Sequence, residues 1–171
     1  MLAERVIQHS TNPYISPIFV VPKIIDAFGK MKWRVVVDFR KLNDVTVGDS
    51  FPIPVIYDVL NLLRNSKYFS TVDCAIGFRQ ITVQAVDRMK TAFGTNYGHF
   101  DYKSIPFALK GAPANFQRLI FTVLSGMQGL KCLVYLDDIT VLGETLQVHS
   151  DKLMDVFVRL RVRNLKLKRD K

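Results

Sequence analysis

Cysteine is scarce in this chain. Cys74 and Cys132 are the two present, and each sits inside an apolar run. The absence of any CxxC pair argues against zinc-ribbon and thioredoxin-like motifs and points to a reduced, intracellular setting. Histidine is thin as well: His9, His99 and His149 are scattered, with no two at metal-ligand spacing. No apolar run approaches the ~18 residues of a membrane-spanning helix, so no membrane partner is expected. The opening stretch MLAERVIQHSTNPY has no apolar core of the kind a secretory signal carries, and none is expected. Repeats, low-complexity tracts and linker-like segments are missing too. Acidic residues number 15 against 24 Lys and Arg, a net charge of +9. That imbalance favours a polyanionic partner, nucleic acid ahead of membrane, because basic side chains neutralise phosphates and release counterions.

What remains is a chain of 171 residues with 49% apolar and 23% charged side chains, the balance of a globular α+β protein with a real core. A short helix is expected over 3–9, ended by TNPYISP. PIFVVPK (17–23) and KWRVVVDF (32–39) read as two strands of a hairpin with Lys23, Lys30, Lys32 and Arg34 along it. Residues 40–54 read as an irregular connection, and Pro54 as the start of an amphipathic helix through Leu63. KYFSTVDCA (67–75) reads as a buried strand and FRQITVQ (78–84) as another; 90–106 reads as two strands about an NYG turn. A helix over 111–127 carries Phe116, Leu119, Ile120, Val123, Leu124 and Met127 on one stripe. CLVYLDDITVLG (132–143) is the next hairpin. The segment 145–168 begins as a helix with Leu146, Leu153, Val156, Phe157 and Leu160 inward and ends in a basic tail. These elements describe one antiparallel sheet packed on helices.

The hairpin at 132–143 places Asp137 and Asp138 side by side between apolar runs, and a third carboxylate, Asp73, ends the run YFSTVD. The interval 137 − 73 = 64 residues holds enough chain for the two strands to lie in one sheet with their carboxylates at one edge. Two such charges about 5 Å apart repel by roughly 3 kcal/mol at an effective dielectric of 20, so a cluster needs a cation. Carboxylate oxygens suit Mg²⁺, and a pair of Mg²⁺ ions forms the clamp used in phosphoryl displacement. Aspartate is also an ordinary turn residue. From the residues alone, both a turn and a cation site stand.

The motifs in order narrow the choice. SPIFVVPK, KWRVVVDFRKLN, FPIP, STVDCAIGFRQI, KTAFGTNYGHFDYKSIPFALKGAPANFQ, CLVYLDDI and NLKLK together resemble the reverse transcriptases of gypsy-type LTR retrotransposons over almost the whole chain. The resemblance implies the fingers and palm of a right-hand polymerase in one partial domain over 1–171. Fingers would take about 1–55 and 85–110, and palm about 56–84 and 111–171. It implies an RNA-directed DNA polymerase, a nucleotidyltransferase that uses two Mg²⁺ ions, with Mn²⁺ as the alternative. Its partners would be dNTP and an RNA or DNA template with primer, beside the remainder of a retroelement polyprotein. It places copying in the cytoplasm, with the nucleus open to the DNA copy. Asp73, Asp137 and Asp138 take the catalytic metal-binding positions, with the Cys74 carbonyl as a further ligand. Lys23 and Arg34 match the residues that grip the triphosphate, Phe78 the aromatic gate against a 2′-hydroxyl, and Phe107 the nucleotide-lining block with Leu109 and Lys110. Gln80 and Tyr135 lie beside the site, and Gln117 faces the same region from the following helix.

One departure stands out. Family members usually carry glycine where this chain has Ala108, which matters if that position needs a positive φ. Thumb, connection and ribonuclease H segments are expected to be absent, since the chain stops at NLKLKRDK. A rival expectation follows: a truncated, non-catalytic nucleic-acid-binding remnant.

Overall fold

The protein, described as a computed structural model, is defined over residues 1–2, 4, 6–23, 31–51, 63–64, 66–75, 77–135 and 138–168. The chain divides into two compact units: Met1–Gly48 with Ile81–Ala112, and Asp49–Gln80 with Pro113–Lys171.

In the first unit, β1 (Ile7–His9) pairs antiparallel with β6 (Gly98–Tyr102), which pairs in turn with β5 (Phe93–Thr95). The expected helix at 3–9 is therefore corrected: Ile7, Gln8 and His9 form an edge strand opposite Tyr102, Asp101 and Phe100. Tertiary pairing overrides local propensity here, because a short helix has too few internal bonds to nucleate alone. β2 (Ile18–Lys23) and β3 (Lys32–Val37) form the expected hairpin, with Ile18 opposite Val37 and Lys23 opposite Lys32. Phe19, Val20, Trp33 and Val35 are exposed along it, while Val37 at its base joins the core. That core holds Ile7, Val37, Phe39, Phe93, Phe100 and Tyr102, with Ile18, Leu42 and Leu109 against it. Buried Thr91 ties it together. Its hydroxyl donates to the Arg88 carbonyl (2.7 Å) and accepts from the Tyr102 amide (2.9 Å). A second correction falls just after β3. Arg40–Val45 is a short helix, α1, rather than irregular chain, because Phe39 and Leu42 one turn apart anchor it to that core. A four-residue helix, α2 (Ala85–Arg88), precedes β5.

In the second unit, β4 (Tyr68–Asp73) pairs antiparallel with β8 (Asp138–Gly143), which pairs with β7 (Cys132–Tyr135). Three sheets are thus seen among the described residues, in place of the single sheet expected. The expectation of a buried β4 is corrected as well: among the described residues it lies at the edge of its sheet, with Tyr68 and Phe69 largely exposed. The central β8 carries the buried Ile139, Val141 and Leu142 instead. The expected strand over 78–84 is a 3-10 turn at Gly77–Gln80, followed by a single bridge at Thr82. The turn holds because Gly77 lets the chain press on Phe116: a Cβ there would lie 2.7 Å from the ring. The helix α3 (Ala112–Val123) has Pro113 in its first turn, where the missing N–H costs no bond. Its predicted stripe is buried at Phe116, Ile120 and Val123, continuing to Leu124 and Met127. The helix α4 (Leu146–Val162) is capped by Thr145, whose hydroxyl accepts from the Val148 amide (3.3 Å). Val156 and Leu160 point inward as expected, whereas Leu146 is exposed at the helix start. The expected helix from Pro54 lies outside the described residues. No helix among the described residues is long and apolar enough to cross a membrane.

Candidate nucleotidyl-transfer site

Asp73 closes β4 and Asp138 opens β8, and the register sets them directly opposite each other. Directly paired residues on antiparallel strands have Cα atoms about 4.5–5.5 Å apart, so two carboxylates are carried at adjacent positions on one sheet edge. On the other side Asp138 pairs with Tyr135, the exposed last residue of β7. Asp137 falls outside the described residues. The described residues alone contain no group of three His, Cys, Asp or Glu side chains able to hold a metal. The donor chemistry nevertheless fits a hard divalent ion: two carboxylates carried at paired positions on the last rung of the β4–β8 ladder. A cation already stands by Asp73. The Lys168 Nζ lies 3.7 Å from an Asp73 carboxylate oxygen, whose side chain is 17% exposed.

Lys168 is held there by main-chain pairing. Its amide donates to the Asp73 carbonyl (2.9 Å), and the Ala75 amide donates to the Lys166 carbonyl (2.8 Å). Between these bonds, buried Cys74 forms an antiparallel bridge with Leu167. Gln80 locks the arrangement. Its Nε2 donates to the Ala75 and Lys166 carbonyls (2.8 and 3.0 Å), and its Oε1 accepts from the Lys166 amide (2.7 Å). Residues 166–168 thus extend the edge beyond Asp73. The motif order puts Gln80 beside the site but does not reveal this locking role. The NLKLK motif ends at Lys168, but the motif alone does not reveal that this side chain stands by Asp73.

Phe78 lies in the 3-10 turn, half-buried, with its ring edge-on to Phe116 at 5.6 Å between centroids. Gln117, next to Phe116, is fully buried, and neither of its side-chain amide atoms has a hydrogen-bond partner among the described residues. The Cys132 thiol is pushed up to about 11 by burial, which keeps it protonated and inert.

The remaining candidates belong to the first unit. Arg34 lies on β3, exposed and opposite Val21; Lys23 ends β2 opposite Lys32. The alternation of the ladder assigns positions 23, 32 and 34 to one face. Phe107 is half exposed. Lys110 braces its own loop, since its Nζ donates to the Thr46 carbonyl (3.1 Å). Ala108 has φ +73°, the left-handed region. The concern raised by its departure from glycine is therefore real. Asn43, which the motifs do not single out, hydrogen-bonds the loop around it. An open cleft of about 280 Å³ lies alongside, lined among others by Phe19, Val36, Asp38, Arg40, Asn43 and Ala108.

The chain has direct relatives among known proteins. The reverse transcriptase (RNA-dependent DNA polymerase) family profile matches residues 22–171. The whole chain is 45% identical to part of the retrovirus-related Pol polyprotein from transposon 297 of Drosophila melanogaster, covering 16% of it. Against the corresponding polyprotein from transposon gypsy of the same organism it is 37% identical over its full length, covering 17%. A foamy viral protease-reverse transcriptase in complex with double-stranded DNA superposes with a TM-score of 0.85 and 28% identity, over 98% of this chain and 28% of that one. The foamy viral protease-reverse transcriptase in complex with an RNA/DNA hybrid gives 0.81 and 28%, over 94% and 21%. The fold is thus that of a reverse transcriptase, an α+β polymerase fold. The chain belongs to the reverse transcriptase (RNA-dependent DNA polymerase) family, on its gypsy-type retrotransposon side. It spans about a sixth of the length of these polyprotein relatives.

Proposed function

We propose that this chain works as an RNA-directed DNA polymerase segment of a retrotransposon polyprotein. A primer 3′-hydroxyl attacks the α-phosphate of a dNTP in line, the phosphodiester bond forms, and pyrophosphate leaves. The observation that carries this reading is the register pair Asp73–Asp138, in a chain of this family. Asp73, Asp137 and Asp138 would hold two Mg²⁺, or Mn²⁺, with the Cys74 carbonyl as a further ligand. When bound, such ions stabilise charge on the attacking and leaving oxygens. The first unit is assigned to the fingers and the second to the palm. In the fingers, Arg34 offers a bidentate fork and Lys23 a point charge for the triphosphate, and Phe107 lines the nucleotide. In the palm, the Phe78 ring, braced by Phe116, excludes a 2′-hydroxyl. The net charge of +9 suits a template–primer duplex. Complexes of the foamy viral enzyme with RNA/DNA hybrid and double-stranded DNA support that choice of partner. A cytoplasmic setting belongs to the same proposal.

Ala108 favours a second reading. A non-glycine residue at φ +73° strains the loop assigned to the nucleotide, a strain that a non-catalytic nucleic-acid-binding remnant would tolerate. Primer extension on poly(rA)/oligo(dT) with dTTP and Mg²⁺, comparing the chain with Asp137→Asn, separates the two. Extension abolished by the substitution supports the polymerase; duplex binding without extension or Mg²⁺-dependent dTTP binding supports the remnant.

A further inference from the structure

The 107–110 loop presents a physical problem that its own sequence does not solve. Ala108 sits at φ +73°, where a Cβ clashes with the backbone and alanine gains nothing in return. Such a residue persists only where the surroundings over-determine it. One side chain bonds both flanks of Ala108. The Asn43 Nδ2 donates to the Ala108 carbonyl (2.8 Å), and its Oδ1 accepts from the Lys110 amide (2.8 Å). A carboxamide offers both a donor and an acceptor, so it can pair with a carbonyl and an N–H two residues apart; a carboxylate cannot. Asn43 is itself fixed. It lies in α1, between the core residues Phe39 and Leu42 on one side and Thr46, whose carbonyl takes the Lys110 Nζ, on the other. Leu109 packs against the same core. Phe107, one residue before Ala108, has half its surface exposed, so packing alone does not fix its direction.

We infer that Asn43 is the positioning residue for this loop: by clamping Ala108 in its left-handed conformation it aims Phe107 and sets the affinity for an incoming nucleotide. The inference rests on the polymerase reading. It assigns to Asn43 a role that glycine at position 108 would make dispensable, since glycine adopts a positive φ unaided.

The test uses the full chain with Asn43→Ala and Asn43→Asp, each alone and combined with Ala108→Gly. Circular dichroism checks folding, hydrogen exchange follows the Lys110 amide, and calorimetric titration with dTTP and Mg²⁺ gives Kd. Asn43→Ala should deprotect the Lys110 amide. Asn43→Asp should keep that acceptor but lose the bond to Ala108. Both should weaken dTTP binding about tenfold, the factor that goes with one lost hydrogen bond. Adding Ala108→Gly should restore wild-type Kd to within about twofold, which repair of mere stability elsewhere would not do. Unchanged dTTP binding in both Asn43 variants, or no rescue by glycine, overturns the inference alone. No dTTP binding by the wild-type chain overturns the polymerase reading, and this inference with it.

Discussion

Asp73 and Asp138 face each other at the last rung of the β4–β8 ladder, and the Lys168 ammonium stands 3.7 Å from the first of them. Like charges at adjacent positions repel, and a cation offsets that repulsion. Lys168 supplies one positive charge beside Asp73, from a segment tied to the same strand end.

The segment carrying Lys168 depends on Gln80, whose carboxamide makes three hydrogen bonds to Ala75 and Lys166. Gln80→Ala is expected to lower stability by about 1–3 kcal/mol. It should also speed hydrogen exchange at the Ala75 and Lys168 amides, which close the strip onto β4. Unaltered exchange at both amides would show that main-chain pairing holds the strip without Gln80.

Gly143 ends β8 where α4 begins to pack on it. A Cβ at this position would lie 2.7 Å from the His149 Cα and 2.8 Å from its nitrogen. Backbone atoms cannot swing aside as a flexible side-chain tip can. Gly143→Ala should therefore destabilise the chain by roughly 1–3 kcal/mol in urea unfolding, the cost of overpacking. A midpoint within error of wild type would count against this close approach.

Asp38 and Arg40 form an exposed fork: Arg40 Nη2 lies 2.7 Å from Oδ2, and its Nε and amide lie 3.0 Å from Oδ1. The Arg40 side chain, then its amide, lowers the Asp38 carboxyl from 3.8 to about 2. A depressed carboxylate contributes stability that is fully present above the unfolded value and is lost as pH falls through the folded one. The stability gap between wild type and Asp38→Asn should be constant above pH 3.8 and close as pH approaches about 2. Carbon-detected titration of the carboxyl should show a midpoint near the lower value, moving up in high salt. A midpoint at 3.8 would mean that no ion pair persists in solution.

Local signals were legible in the sequence. The apolar runs at 17–23, 32–39 and 132–143 became hairpin strands, and the stripe Phe116–Ile120–Val123 became a buried helix face. Motif order leads to the family, and Ala108 stands out as a departure on sequence alone, ahead of its φ. Differences fall where tertiary context decides. Ile7–His9 is a strand only because β6 lies beside it, and 77–80 turns because Gly77 meets Phe116. β4 reads as buried from its apolar run, but strand order, and hence which strand is the edge, cannot be read from one run of residues. Asn43 and Lys168 are hidden for the same reason. Their partners lie 65 to 67 residues away in one case and far back along the chain in the other.

The most direct measurement is a Mn²⁺ titration of the full chain followed by electron paramagnetic resonance, alongside Asp73→Asn and Asp138→Asn. A carboxylate pair built for a divalent ion should bind Mn²⁺ in the wild type, release it to excess Mg²⁺, and lose most of that binding in either variant. Equal Mn²⁺ binding by all three proteins would contradict the assignment of this sheet edge as the metal site.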